Sequence, residues 1–234
     1  MILKTNTAEP GPAVSVVLAA HNEVATIAQV IADIETTLGT AVQLVVVDDG
    51  STDGTGDAAR DAGADVITLY PNQGKGNALR EGIRRTTGDW VVFLDADGQD
   101  DPKEIPLLLS RATADVTMVN GSRFLGSLRE GAISAPNKVG NVVLTQFMSL
   151  LFGHKITDSQ AGFRAFRGEF VRSLTLRSDE YEIETEMLAK VLKAGERVLE
   201  VPVTRYERAG GVTDFRRVRN GLRILGTMLW ERFA

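Results

Sequence analysis

The segment Trp90-Val91-Val92-Phe93-Leu94-Asp95-Ala96-Asp97 joins an unbroken apolar run to two acidic residues that lie two positions apart. Short apolar runs of this kind are typical of strands buried inside a parallel sheet. Residues two apart in an extended chain project to the same side, so both carboxylates can approach one ligand. Carboxylate oxygens suit Mg²⁺ and Mn²⁺, which in proteins often also bind phosphate oxygens. We therefore predict a buried strand with a divalent-metal site at its carboxyl end.

The competing interpretation is that Asp95 or Asp97 caps the helix that follows. The pair Asp101-Pro102 already provides the expected start of that helix, with Asp101 as N-cap and Pro102 in the first helical position. Because that cap is supplied, the two earlier carboxylates are available for a ligand, and the metal interpretation is favoured.

Short apolar runs alternate with longer amphipathic segments along most of the chain. This pattern predicts an α/β fold with a mainly parallel central sheet flanked by helices. We expect an N-terminal tail over 1–13, one domain over 14–214 and a C-terminal amphipathic basic helix over 215–234. The predicted strands are 14–20, 43–48, 65–70, 90–94, 116–121 and 198–204, and the predicted helices are 24–37, 55–62, 76–87, 102–112, 137–152, 185–194 and 215–233.

Polar residues follow the first four predicted strands, where ligands collect in open parallel sheets. The series Asp48 to Thr55 has two interpretations: a turn before a capped helix, or acceptors for the base or ribose of a nucleotide. Gly74-Lys75-Gly76 likewise fits a loop before a helix or a backbone that approaches a phosphate, although it matches no standard phosphate-loop pattern. Together the four strand ends predict one nucleotide-binding site.

The composition excludes several classes of site. The 234 residues carry a formal net charge of −5, no cysteine and two histidines. Disulfides, thiol catalysis and metal sites rich in Cys or His are therefore excluded, and the acidic balance argues against a nucleic-acid partner. The first 13 residues lack the apolar run of a signal peptide, and 139–152 would rise only about 21 Å as a helix, against roughly 30 Å of membrane core. We expect a cytoplasmic protein.

The C-terminal segment combines basic charge with an apolar stripe. Residues 216–234 hold five Arg and one Glu, in a chain that is acidic overall. The stripe has two interpretations, a helix lying in a membrane interface or a helix covering the protein's own sheet, and the apolar segment 139–152 has the same two. Its residues recur at helical spacing: Val218, Leu222, Leu225, Leu229 and Phe233.

Seven ordered motifs between Val14 and Gly211 together match a known pattern. They are 19–23, 48–55, 72–78, 95–102, 121–124, 158–164 and 182–186. In type and order they resemble the family-2 inverting glycosyltransferases of GT-A fold, and most closely the dolichyl-phosphate mannose synthase group of polyprenyl-phosphate glycosyltransferases. The sequence departs from that family where Ala19 and His21 replace Pro and Tyr, and where Gly211-Val212-Thr213-Asp214 ends in an acid instead of Lys.

The resemblance implies a hexose transfer from a nucleotide diphosphate sugar, GDP-mannose or a UDP-sugar, to a polyprenyl phosphate. It further implies peripheral contact with anionic membrane at the inner face and Mg²⁺ or Mn²⁺ as cofactor. Asp95, Asp97 and Arg123 would be catalytic, and Asp95, Asp97 and Gln99 would bind the metal. The nucleotide sugar would contact Ala19, His21, Glu23, Val47, Asp48, Asp49, Lys75, Asp95, Ala96 and Asp97, and the acceptor and sugar pocket would hold Arg123, Lys138, Asp158, Gln160, Arg164 and Glu184.

Two alternatives remain open from the residues. A soluble glycosyltransferase acting on a sugar or a small phosphorylated acceptor would use the same donor half of the site. A nucleotide-sugar-binding protein without turnover would keep the fold alone. The intact Asp95-Ala96-Asp97 and Arg123 argue against the second alternative.

Overall fold

A computed structural model describes residues 13–208 and 217–234, and its core is one seven-stranded sheet. The strands follow the order β3-β2-β1-β4-β6-β5-β7 across the sheet. Among the seven described strands, β6 alone is antiparallel to its neighbours, and the other strand pairs are parallel. The predicted α/β fold with a mainly parallel central sheet is confirmed. The strands are β1 (Val14–Ala20), β2 (Gln43–Asp49), β3 (Asp65–Leu69), β4 (Trp90–Asp95), β5 (Met118–Leu128), β6 (Arg164–Arg167) and β7 (Val198–Arg205).

Helices cover both faces of the sheet because alternate side chains of each buried strand point to opposite faces. Leu18 of β1 packs with Ile31 and Ile105 on one face, and its neighbour Val17 packs with Ile83 and Met187 on the other. A layer of buried apolar side chains therefore lies on each face of the sheet. The helices are α1 (Ile27–Leu38), α2 (Thr55–Asp61), α3 (Lys75–Arg85), α4 (Ile105–Leu109), α5 (Ala135–Phe152), α6 (Gly168–Ser173), α7 (Ile183–Lys193) and α8 (Arg217–Phe233).

The segment after β4 differs from the single helix predicted over 102–112. A short 3₁₀ turn spans Pro102–Glu104, and α4 follows with Pro106 in its first turn. Proline lacks the N–H that would continue the ladder of the preceding turn, which explains the break. The expected cap is present, since the Asp101 carboxylate accepts a hydrogen bond of 3.0 Å from the Lys103 backbone N–H.

Two elements were missed in the sequence. The antiparallel strand β6 has four residues and only two of them are apolar, too few for the period-two pattern of a strand to be detected. The short helix α6 follows it directly. The predicted strand 116–121 was also too short, because β5 continues to Leu128 and resumes its pairing with β7 at Ser127 after an irregularity.

Helix α8 has two apolar faces, and this bears on the open interpretations of the C-terminal stripe. Ile224 and Met228 are buried against the layer that contains α5 and α7. The stripe itself faces outward, with Leu222 66% exposed, and only Leu225 packs partly against the core. The interpretation in which this stripe covers the protein's own sheet is therefore wrong for its outer members, Val218, Leu222, Leu229 and Phe233. No helix in the described ranges is long and apolar enough to cross a membrane.

Shortening Ile224 to alanine should lower the free energy of unfolding by about 2–5 kcal/mol, because it leaves a cavity in the layer beneath α8. Leu222→Ala, on the exposed face of the same helix, should change it by less than about 0.5 kcal/mol. Urea unfolding followed by circular dichroism measures both variants. Equal losses would contradict this orientation of α8.

Candidate active site

A cleft of about 550 Å³ opens at the carboxyl ends of β1, β2 and β4. The predicted strand-end residues meet there, as expected from the parallel arrangement of these strands. Twelve of the predicted site residues line the cleft: Ala19, His21, Glu23, Asp49, Lys75, Asp95, Ala96, Asp97, Gln99, Arg123, Gln160 and Glu184.

Asp95, the last residue of β4, is held between two cations. Its Oδ1 lies 2.6 Å from Lys75 Nζ, at the start of α3, and its Oδ2 lies 3.1 Å from Arg205 Nη2, at the end of β7. Burial acts to raise the pKa of Asp95, but Lys75 and Arg205 outweigh it and hold that pKa well below its usual range. Asp95 is therefore a carboxylate at neutral pH.

Lys75 also binds a second acid across the cleft. Its Nζ is 2.7 Å from Glu184 Oε1 in α7, so one ammonium group joins α3, β4 and α7. Burial acts to lower the pKa of Lys75, and the carboxylates of Asp95 and Glu184 more than compensate and raise it. The other oxygen of Glu184, Oε2, is buried without a hydrogen-bond partner in the described structure.

Asp97 has weaker cationic contacts than Asp95. Its Oδ2 lies 3.4 Å from Arg208 Nη1 and 3.7 Å from Arg205 Nη2, while its Oδ1 accepts a hydrogen bond of 3.0 Å from the Gln99 backbone N–H. Burial is the largest cause that raises the pKa of Asp97, and the adjacent charge of Asp95 raises it further. Arg205 only partly opposes this shift. An added cation near Oδ2 would favour the charged form of Asp97.

Glu23 and Arg208 connect opposite walls of the cleft, since Glu23 follows β1 and Arg208 follows β7. Their side chains form an ion pair between Glu23 Oε1 and Arg208 Nη2. Burial raises the pKa of Glu23 from 4.5 to about 7; Arg208 opposes the shift, whereas Asp97 and Asp95 add to it. A nearly buried carboxyl that titrates near neutrality therefore lies beside the acidic pair.

Gln99 holds the walls of the cleft together. Its Nε2 donates to the backbone carbonyls of Tyr206, at 2.8 Å, and Ala132, at 3.2 Å, while its Oε1 accepts from Arg205 Nη2 at 3.0 Å. The side-chain oxygen predicted to bind a metal is thus engaged with an arginine in this structure.

Asp49 and His21 form the wall at the ends of β2 and β1. The carboxylate of Asp49 accepts backbone N–H groups of Gln73 and Gly74 at 2.7 and 2.8 Å. The backbone carbonyl of Asp49 lies 2.9 Å from His21 Nδ1 and accepts from Asn72 Nδ2 at 3.0 Å. Asp49 therefore orders the loop after β3 and also borders the cleft.

The glycines of Gly74-Lys75-Gly76 allow close packing against the loop that contains Ser178 and Asp179. A side chain at Gly74 would collide with the carbonyl of Asp179, and one at Gly76 would collide with the carbonyl of Ser178. The Gly76 N–H donates to the Asp179 carbonyl at 2.8 Å. Gly74 and Lys75 both line the cleft, so the interpretation in which this backbone approaches a phosphate stays a prediction.

On the opposite wall, Arg123 is fixed in a two-pronged ion pair. Its Nε donates to Asp158 Oδ2 at 2.7 Å and its Nη2 to Asp158 Oδ1 at 2.8 Å, while the Arg123 side chain borders the cleft. Within the described contacts this leaves Nη1 for a ligand. Two parallel charge-assisted hydrogen bonds orient a guanidinium strongly.

Five predicted site residues do not line the cleft. Val47 and Arg164 are fully buried, and Arg164 donates to the backbone carbonyls of Glu184 and Ala161. Burial lowers the pKa of Arg164 to about 10. Asp48 accepts the Ser51 N–H at 3.0 Å, as the turn interpretation of its motif expected. The five act behind the cleft or away from it: Val47, Asp48, Lys138, Asp158 and Arg164.

Two arginines that were not predicted, Arg205 and Arg208, lie against the acidic pair Asp95 and Asp97. Arg205 Nη1 also lies 2.6 Å from Asp100 Oδ1, so one guanidinium reaches three carboxylates. Arg205 and Arg208 lie at and after the end of β7, so inspecting that strand end as the first four were inspected would have found them. Further residues of the lining that were not predicted are Ala132, Asn137, Asn141, Glu180 and Tyr181.

The residues present fit a divalent metal. Asp95 and Asp97 supply hard oxygen atoms, and the ionic contacts of Asp97 Oδ2 with Arg208 and Arg205 are long, at 3.4 and 3.7 Å. In the described part of the chain, no three Asp, Glu, His or Cys side chains are grouped to hold a metal. An ion on this pair would therefore take its remaining ligands from a bound substrate and water.

With the site geometry established, comparison with known proteins defines the class. The pattern of the "Glycosyl transferase family 2" family matches residues 15–175. Over 211 residues the chain is 36% identical to the glycosyltransferase AglJ of Haloferax volcanii, covering 89% of this chain and 68% of AglJ. The chain belongs to glycosyltransferase family 2.

Two further similarities bear on its substrates. The undecaprenyl-phosphate mannosyltransferase of Micrococcus luteus is 33% identical over 180 residues, 72% of this chain and 73% of that enzyme. The crystal structure of glucosyl-3-phosphoglycerate synthase from Mycobacterium tuberculosis, with Mn²⁺, UDP and glucosyl-3-phosphoglycerate, superposes with a TM-score of 0.75 at 26% identity, covering 94% of this chain and 80% of that one. The fold is the GT-A fold that the motifs led us to expect.

The raised pKa of Glu23 makes a prediction about stability. Between pH 4.5 and about 7 the folded chain binds more protons at Glu23 than the unfolded chain does, so this contribution is fully present below pH 4.5 and is lost as the pH rises through 7. Glu23→Gln should therefore reduce the fall in the free energy of unfolding between about pH 5 and about pH 8. Urea unfolding at both pH values measures it. As a control, Glu81→Gln, on the outer surface of α3, should retain the wild-type fall; an unchanged fall in Glu23→Gln would contradict the assignment.

Proposed function

We propose that this family-2 glycosyltransferase transfers a hexose, with inversion, from a nucleotide diphosphate sugar to a polyprenyl phosphate at the cytoplasmic face of a membrane. The observation that carries the proposal is that both α5 and α8 border the cleft and also expose apolar side chains to solvent. A lipid-borne acceptor requires such a surface beside the active site. The similarity to an undecaprenyl-phosphate mannosyltransferase supports the same class of acceptor.

The donor would lie along the ends of β1, β2 and β4. Its nucleoside would contact Ala19, His21 and Asp49, and its diphosphate would lie near the acidic pair and the cations around it. Arg205 and Arg208 already bind carboxylates here and can exchange these for phosphate oxygens, which guanidinium groups recognise well. Ala96 would border the diphosphate between Asp95 and Asp97.

The metal would be Mg²⁺ or Mn²⁺, held by Asp95 and Asp97. When bound, it supplies positive charge that stabilises the diphosphate as the glycosidic bond breaks. The solved synthase with Mn²⁺ and UDP supports a divalent ion in this fold. Gln99 would then support the site by fixing Arg205 and the neighbouring loops, as its hydrogen bonds indicate.

The transferred hexose would lie between Lys75, Gln160 and Glu184. The buried and unpartnered Oε2 of Glu184 is an acceptor that a sugar hydroxyl can satisfy. Lys75 fixes the other oxygen of that carboxylate at 2.7 Å, so Glu184 is held in place for this contact.

The acceptor phosphate would bind opposite the donor, at Arg123. A phosphate monoester has a second pKa near 6, so it is largely dianionic at neutral pH and can attack the anomeric carbon without a general base. Asp158 fixes Nε and Nη2 of Arg123, which directs the remaining Nη1 toward the phosphate. Exposed Lys138, on α5, would attract the anion from outside the cleft.

A second candidate acceptor is a small phosphorylated acid. The similarity to glucosyl-3-phosphoglycerate synthase favours it, because the match covers 94% of this chain. Such an acceptor would use the same donor half and the same Arg123, but would not need the exposed faces of α5 and α8.

Transfer assays distinguish the two acceptors. Labelled UDP-glucose and GDP-mannose are offered with Mn²⁺ and either undecaprenyl phosphate or 3-phosphoglycerate; labelled lipid is the expected product.

Asp97→Asn should reduce transfer by at least about 100-fold, because it removes one charge at the metal with little change in volume. Calorimetric titration with Mn²⁺ and nucleotide should show weaker binding of the metal to this variant, and its melting temperature should remain near that of wild type. Product with 3-phosphoglycerate alone would overturn the polyprenyl proposal, and wild-type transfer by Asp97→Asn would overturn the metal assignment.

Vesicle binding tests the membrane surface. We expect sedimentation with anionic vesicles through the exposed Arg219 and the exposed stripe, and release as salt rises, since each basic residue near such a surface contributes roughly 1 kcal/mol within a Debye length of about 8 Å. Leu222→Asp should abolish sedimentation and leave melting unchanged. The matched control, Leu107→Asp at an exposed position of α4, should still sediment. Sedimentation of Leu222→Asp like wild type would contradict the surface.

A further inference from the structure

Glu200, on β7, lies outside the cleft, yet its carboxylate joins four hydrogen bonds in one place. Oε1 accepts from Asn120 Nδ2 at 3.0 Å and from the Asp158 N–H at 3.2 Å. Oε2 accepts from both the backbone N–H and the hydroxyl of Thr157, each at 2.8 Å. An ionised carboxylate has about four acceptor sites, so this network uses all of them.

The segment that Glu200 holds carries the partner of Arg123. Asp158 is fully buried, and its carboxylate accepts from the backbone N–H as well as from Nε and Nη2 of Arg123. Asn120, the cross-strand neighbour of Glu200, donates in addition to the Asp158 carbonyl at 2.7 Å. The backbone of Asp158 is therefore fixed by Glu200 and Asn120, and its side chain fixes Arg123.

We propose that Glu200 is a positioning residue for the acceptor site, which acts on the bound anion through Asp158 and Arg123. This inference rests on the proposed role of Arg123. A guanidinium can direct Nη1 into the cleft only while its other nitrogens are held, and the Asp158 carboxylate holds them only while its own backbone is fixed. Glutamine at position 200 keeps the size of the side chain but offers one acceptor oxygen instead of two, so at least one donor of the Thr157–Asp158 segment loses its partner.

The first test needs no acceptor. In protein labelled with ¹⁵N-arginine, the Arg123 Nε–H signal is identified by its loss in Arg123→Lys, and its exchange with solvent is measured. Glu200→Gln should speed that exchange by about tenfold, because opening of the Arg123–Asp158 pair becomes easier. The matched control is Glu196→Gln, which changes a carboxylate that precedes β7 and is bonded by the Thr117 hydroxyl; it should leave the exchange unchanged. Unchanged exchange in Glu200→Gln would overturn the proposal.

The second test separates positioning from general stabilisation. Glu200→Gln should raise the KM for the accepted probe, undecaprenyl phosphate or 3-phosphoglycerate, by about tenfold, and leave the KM for the nucleotide sugar near that of wild type. In the Arg123→Lys background the same change should cause no further rise. Equal effects on both substrates, or losses that add in the double variant, would overturn the proposal. If wild type transfers to neither probe, the proposed function fails, and the exchange measurement still decides the role of Glu200.

Discussion

The structure depends on compensation of the carboxylates that meet at the end of β4. Asp95, Asp97 and Asp100 are largely withdrawn from water, and charges in such a place are costly unless they are paired. Arg205 reaches all three, and Lys75 adds a second cation to Asp95. This requirement places the end of β7 and the start of α3 beside the end of β4, and it creates a cleft whose walls are already charged in the way that an anionic, metal-binding ligand needs.

The sequence predicted a site residue well wherever the position of that residue depended on a single strand. The run before Asp95 predicted its strand, and both acids line the cleft, although Asp97 lies in the turn after β4 and not in the extended segment that was expected. The ends of β1 and β2 followed from the rule for strand ends. Arg205 and Arg208 were missed although the rule for strand ends applies equally to β7; their pairing with the acids at the end of β4 is a further feature that the alternation of residues along one strand does not express. Gly74 and Gly76 were ambiguous for a similar reason: close approach to another backbone and close approach to a phosphate require the same residue type. Asp158 and Arg164 were identified as polar residues of the site, but their burial behind it depends on packing that no local pattern records.

Helix α8 shows how one sequence pattern supports two surfaces. The apolar residues at helical spacing suggested a single stripe, which had either to cover the sheet or to face outward. The helix instead buries Ile224 and Met228, which lie beside the stripe, and leaves most of the stripe exposed. Helices α5 and α7 determine which face of α8 is buried, because they pack against its inner face and leave its outer face uncovered.

The late position of β7 in the chain has a consequence for biosynthesis. The sheet places this strand beside β5, about eighty residues earlier, and its terminal arginine reaches back to acids more than a hundred residues earlier. A ribosome delivers the chain from its N-terminus, and contacts of such sequence separation form slowly. The nascent polypeptide therefore lacks the arginine that reaches Asp95, Asp97 and Asp100 until β7 has emerged, and the acids at the end of β4 gain that partner only after the strands before β7 have been synthesised.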